Sequence, residues 1–160
     1  MGLDMYLHAR KYVDKVDWDK THSLSDGYAT YDKFNELMEL TKMSDVATDI
    51  YGASVEVTCA YWRKANQIHK WFVDNIQSGK DDCGYYYVSL EKLKDLREVC
   101  RLALFNKDPN LLPPQEGFFF GGTDIDEWYW KDLKNTIKQV DRLLALPEVS
   151  KLSFSYSSSW

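Results

Sequence analysis

Both ends of the chain alternate. Leu3, Met5 and Leu7 stand between Asp4, Tyr6 and His8, and near the other end Leu152, Phe154 and Tyr156 stand between Ser153, Ser155 and Ser157. Successive side chains of a strand point to opposite faces, so one apolar phase at a period of two reads as a strand half-buried on a sheet. A short strand at a chain end is ordered only when it finds a partner. The pattern predicts an α+β fold. Antiparallel strands over Leu3 to Ala9 and Leu152 to Tyr156 lie in one small sheet, packed by three longer helices and one short one.

Between the ends, residues 13–30 are polar and mixed and read as a loop with one turn of helix at most. Tyr31 to Met43 carries Phe34, Leu37, Met38 and Leu40 at helical spacing, a short helix. Apolar residues recur every three or four positions from Cys59 to Ile76, which predicts a long helix over about Glu56 to Gln77 that ends at Ser78-Gly79. Gly84 to Val88 reads as a strand. Ser89 caps a helix with a stripe of Leu93, Leu96, Cys100 and Leu104, broken by Asp108-Pro109 and Pro113-Pro114. Gly117 to Gly121 is a short aromatic strand or turn. A last helix runs from about Ile125 to Leu146, with Thr123 as its N-cap and Trp128, Leu133, Ile137, Val140 and Leu144 inward, until Pro147 ends it. No repeat or linker divides the chain, so residues 1–160 read as a single domain.

Charge and motif content exclude several classes of function. Twenty Lys and Arg against 25 Asp and Glu give a net charge of −5 with no basic cluster to track a phosphate backbone, so non-specific nucleic-acid binding is not expected. No apolar run approaches the roughly 18 residues of a membrane span, and the start lacks a basic stretch followed by an apolar one. The expectation is a soluble cytoplasmic protein. Cys59, Cys83 and Cys100 are odd in number and widely spaced, which predicts reduced and mostly buried thiols. His8, His22 and His69 are too scattered for a metal set. No nucleophile elbow, Walker loop or dinucleotide glycine pattern occurs. Accordingly no catalytic residue, metal or cofactor is assigned.

Six Trp, eleven Tyr and seven Phe make 15% of the chain, more rings than a core of this size needs. Helical spacing within Tyr61 to Phe72 puts Trp62, Asn66, His69 and Val73 in one row, an apolar face carrying an amide and an imidazole. Such a row suits a pocket wall, although a hydrogen-bonded core histidine is the plainer reading of His69. Gly121-Gly122-Thr123 ahead of a helix offers backbone N–H groups to an anion, with Arg63, Lys64 and Lys70 as local cations. Asp124, Asp126 and Glu127 in the same turn favour an ordinary cap. Tyr85 and Tyr87 share one face of their strand, and Phe119 lies among three consecutive Phe. The predicted ligand-binding set is therefore Trp62, Arg63, Asn66, His69, Lys70, Tyr85, Tyr87, Phe119, Gly121, Gly122 and Thr123.

Several segments together resemble a family of small phage and prophage proteins. They are the opening Met1 to Leu7, the block Tyr61 to Phe72, Asp82 to Tyr85, Gly117 to Gly121 ahead of Trp128-Tyr-Trp130, and Tyr156 to Trp160. The likeness runs from end to end and supplies no catalytic role. It implies a phage-encoded accessory protein in the bacterial cytoplasm, and such proteins commonly act on host systems. The functional expectation is a counter-defence protein that sequesters a small nucleotide-derived ligand in an aromatic and polar pocket. An inhibitor that covers the surface of a host defence protein is the alternative, and a nucleotide-modifying enzyme the next. Whether the chain forms a homo-oligomer stays open.

Overall fold

The computed structural model describes residues 2–21, 27–45 and 50–160. Its elements, in order, are β1 (Asp4–Asp14), α1 (Asp32–Thr41), β2 (Gly52–Arg63), α2 (Asn66–Asn75), β3 (Tyr86–Val88), α3 (Leu90–Asn106), α4 (Glu127–Leu144) and β4 (Ser153–Ser159). They make an α+β fold around a four-stranded antiparallel sheet of order β2-β1-β4-β3. The two chain-end strands are neighbours at its centre. Tyr86 lies opposite Tyr156 and Val88 opposite Phe154 in the β3–β4 register. Internal contacts divide the chain into two compact units, residues 1–9 with 57–160, and residues 10–56.

In the larger unit the period of two sets the inner face. Leu3, Met5 and Leu7 of β1, Ala60 and Trp62 of β2, Val88 of β3, and Phe154 and Tyr156 of β4 are all buried in one core. Ile68 and Phe72 of α2, Leu93, Leu96 and Cys100 of α3, and Leu133 and Val140 of α4 close it from the helical side. Phe72 stacks flat on Tyr156, ring centroids 3.9 Å apart. The helices α3 and α4 pack along each other and are tied by an ion pair between Arg97 and Asp141. On the outer face the other phase of the alternation lines up rings. Tyr61, Tyr6, His8 and Tyr85 follow at centroid distances of 5.4, 6.1 and 5.3 Å, and His8 shares a hydrogen bond of 3.1 Å with Ser157.

The smaller unit holds the second half of β1, the first half of β2, and α1. Lys15 N–H donates to Tyr51 O at 2.8 Å, and Val16 and Thr30 form an isolated bridge inside the predicted loop. Phe34 is the buried residue of α1, which ends with Lys42 in the left-handed region. His22 lies outside the described residues.

Two local expectations are corrected. Residues 56–63 belong to β2, so the predicted helix over 56–77 is a strand, a turn and the ten-residue α2. Ala60 and Trp62 are buried while Tyr61 and Arg63 are exposed, a period of two that the flanking apolar residues disguise. The last helix starts at Glu127 with Asp126, not Thr123, as its cap: the Asp126 carboxylate accepts from Trp128 N–H and Tyr129 N–H at 2.9 and 3.0 Å. Trp128 lies five residues before Leu133, about 140° round the helix from the inward stripe, and is 58% exposed, while Leu133 and Val140 are buried as predicted and Ile137 and Leu144 pack at the core edge.

The Ser89 side chain accepts from Lys92 N–H and caps α3 as expected. The three cysteines are free, and Cys83 is exposed. Burial pushes the Cys59 thiol up to about 11 and the Cys100 thiol up to about 12, so both stay protonated. Among the described residues no helix is long and apolar enough to cross a membrane.

Candidate functional site

The junction between β2 and α2 starts from an unusual backbone. Lys64 follows the last strand residue at φ 57°, a left-handed conformation that L-residues with a Cβ adopt at a cost. Neighbouring hydrogen bonds hold it there: its N–H donates to Leu3 O at 2.8 Å and its carbonyl accepts from Asn66 N–H at 2.9 Å. Strain that the surroundings over-determine in this way gathers at binding and catalytic sites.

Asn66, buried in the first turn of α2, organises what faces that junction. Its amide nitrogen donates to Phe120 O at 3.3 Å and to Gly122 O at 2.8 Å, and its Oδ1 accepts from Gln115 N–H at 3.1 Å. One side chain thereby fixes both ends of the loop over residues 115–122. Gly121 at φ +91° completes the close approach, since a Cβ there would lie 3.3 Å from the Lys64 Cβ.

The first turns of α4 form the opposite wall. Trp128 and Asp132 are four residues apart and stand one above the other on the helix. Between the walls lies a cleft of about 380 Å³, lined by Arg63, Lys64, Asn66, Gln67, Pro114, Gly121, Gly122, Asp124, Asp126, Trp128, Tyr129 and Asp132. Burial pushes the Asp132 carboxyl up to about 6, against the opposing pull of a hydrogen bond from Gln67 Nε2 at 3.4 Å. The Lys131 ammonium sits 4.3 Å from the centroid of the Trp128 ring, and Arg63 Nε lies 3.9 Å from Asp4 Oδ1. Tyr129 closes the base of the cleft by donating to Leu112 O at 2.8 Å. The result is an exposed ring, a half-buried carboxyl and two cations around one hollow.

Of the residues predicted from sequence, Arg63, Asn66, Gly121 and Gly122 line this cleft. The others stand elsewhere. Trp62 points into the core and donates its indole N–H to Thr136 Oγ1 at 2.8 Å. His69 is fully buried between Tyr156 Oη, at 2.7 Å from Nδ1, and Asp81 Oδ2, at 3.0 Å from Nε2, with Phe120 edge-on to its ring. It fills a closed hydrogen-bonded core position. Lys70 pairs with Asp74 along α2. Tyr85 and Tyr87 are exposed, with Tyr85 against His8 on the outer face of the sheet, and Phe119 packs at the edge of the core. Thr123 is exposed and does not line the cleft.

Because Trp62 is on a strand and Asn66 and His69 on the following helix, the single helical row does not exist. Gln67 and Asp132 complete the site, and sequence reasoning passed over both. A signal for Asp132 is present in hindsight: Trp128, Asp132 and Thr136 make a polar and aromatic column beside the apolar stripe of α4.

Among the described residues no group of three His, Cys, Asp or Glu side chains could hold a metal ion. Set beside known proteins, the chain matches no family model, no curated protein and no solved structure.

Proposed function

We propose that the protein sequesters a small nucleotide-derived ligand in the cleft between the β2–α2 junction and α4, and releases it chemically unaltered. The observation that carries this reading is the juxtaposition of Trp128, Asp132, Arg63 and Lys64 around one hollow. A nucleotide needs a face to stack on, an acceptor for base N–H groups and a cation for phosphate, and the cleft offers each. Its volume falls in the range of small-molecule sites. Asp124 and Asp126 at the rim oppose a long polyphosphate, so one or two phosphate groups beside Arg63 and Lys64 suit it better.

The binding reading is preferred to covalent catalysis through a hydroxyl of Ser or Thr, a thiol or an imidazole, because no Ser, Thr, Cys or His stands among the described residues of the lining. The likeness of its motifs to small phage and prophage proteins supports a counter-defence setting, in which a host nucleotide signal is withdrawn from circulation. A second reading, an inhibitor that covers a host defence protein, is favoured by one separate observation: Tyr85, Tyr87 and Phe118 are 68%, 71% and 94% exposed.

Calorimetry with mononucleotides and cyclic nucleotides, followed by chromatography of the released compound, tests the proposal. Saturable heat, loss of that heat in Trp128→Ala, and recovery of the input compound are expected. Absence of heat together with a co-purifying host protein supports the second reading, and an altered compound assigns an enzyme.

A further inference from the structure

We infer that the cleft selects a guanine base, with Asp132 accepting hydrogen bonds from two adjacent N–H donors on the base edge while the base stacks on Trp128. This rests on the nucleotide reading above and specifies its substrate class.

Hydrogen-bond supply in the cleft singles out Asp132. The Asn66 amide is committed to Phe120 O, Gly122 O and Gln115 N–H. Gln67 turns its Nε2 toward Asp132 Oδ2 at a long 3.4 Å. Asp124 and Asp126 are exposed, and Asp126 Oδ1 already accepts from Trp128 N–H and Tyr129 N–H, so among the described residues of the lining Asp132, with Oδ1 and the remaining capacity of Oδ2, is the half-buried carboxylate. An ionised carboxylate accepts only, and it binds best to two donors side by side.

The bases differ sharply in that respect. Guanine presents N1–H and its exocyclic amino group next to each other. Adenine and cytosine set one amino group beside an acceptor nitrogen, and uracil sets its single N–H between two carbonyl oxygens. Against a carboxylate each of these three places a lone pair where guanine places a proton, and an unmatched polar contact in a half-buried site is expensive. The other common bearer of paired donors, a guanidinium group, is opposed by Arg63 and Lys64 in the same cleft. The placement on α4 also fits. A ring stacked on Trp128 has its edge one helical turn along, at the level of Asp132.

The test is calorimetric titration of the full chain with guanosine, inosine, adenosine, uridine and xanthosine monophosphates, in the wild type and in Asp132→Asn. The wild type should bind guanosine monophosphate at least about tenfold more tightly than inosine monophosphate, which lacks the amino group, and more tightly still than the adenosine and uridine compounds. In Asp132→Asn the guanosine preference should vanish. Xanthosine monophosphate, whose second carbonyl suits an amide donor, should gain. Equal affinity for the adenosine or uridine compound, or a guanosine preference that survives Asp132→Asn, overturns the base assignment and leaves the nucleotide reading standing. No binding of any of the five, nor of the cyclic nucleotides titrated beside them, overturns both. Circular dichroism and a thermal melt of the variant establish that it is folded.

Discussion

Trp62 and Thr136 meet across the core, the indole N–H on the Thr136 hydroxyl at 2.8 Å, with both residues buried. The same hydroxyl donates to Asp132 O at 2.8 Å, so a single oxygen links the end of β2 to the helical turn that carries the cleft carboxyl. Thr136→Val keeps the shape and removes the acceptor, leaving a buried indole N–H unpaired. Urea unfolding should show a loss of about 1–3 kcal/mol with unchanged helix content. A loss near zero would mean that the indole finds another partner.

His69→Ala is expected to act on stability rather than on binding. It removes the imidazole that meets the Tyr156 hydroxyl at 2.7 Å and Asp81 Oδ2 at 3.0 Å, leaving Asp81 only its Oδ1 bond from the Trp160 indole N–H, and opens a void beside Phe120. The expected cost is about 2–4 kcal/mol, read as a lowered midpoint in thermal or urea unfolding. Asn66→Ala should behave differently, releasing the loop over residues 115–122 while the remaining core persists. Hydrogen exchange at the Gln115 amide, which Asn66 Oδ1 now accepts, should accelerate.

The alternating ends were legible because a period of two with a serine or charged phase has few other readings, and Ser89 was legible as a cap because it directly precedes an apolar stripe. The strand over 52–63 was not. Its buried residues run without a glycine or proline into those of α2, and the chain instead turns at Lys64, a residue type that carries no turn signal. The cleft stayed hidden for the same reason. Arg63 and Gln67 seemed to share a helix, and Asp132 lies 65 residues beyond Gln67, a separation that periodicity cannot bridge.

Asp132 should make stability depend on pH. Its folded value of about 6 lies above the ordinary carboxyl value near 3.8, so the folded state holds the proton more tightly than the unfolded one. Its contribution is complete below about pH 4 and is lost as the pH rises through about 6. Asp132→Asn removes that dependence. Relative to the wild type, the variant should gain on the order of 1–2 kcal/mol at pH 7.5 compared with its offset at pH 4, a figure already reduced for partial solvent access. Parallel denaturation curves at the two pH values would check this, and a constant offset would contradict it.

Lys64→Gly separates binding from folding. Glycine adopts φ 57° without the Cβ penalty, and that gain roughly cancels its larger unfolded-state entropy, so stability should stay within about 1 kcal/mol. Nucleotide affinity should fall with the lost cation. Gly121→Ala is the converse, forcing a Cβ into a φ of +91° and against Lys64. It should destabilise by about 1–3 kcal/mol in the same denaturation assay.

The place of β4 between β1 and β3 sets an order on biosynthesis. During translation β1 waits for a neighbour that lies about 140 residues later, and β3 waits for the same strand. Until residue 159 has cleared the ribosome, both expose bare edges able to pair with other chains. A product that stops short of Ser153 lacks the strand that joins β1 to β3, so both keep the bare edges that chaperones and misassembly act on.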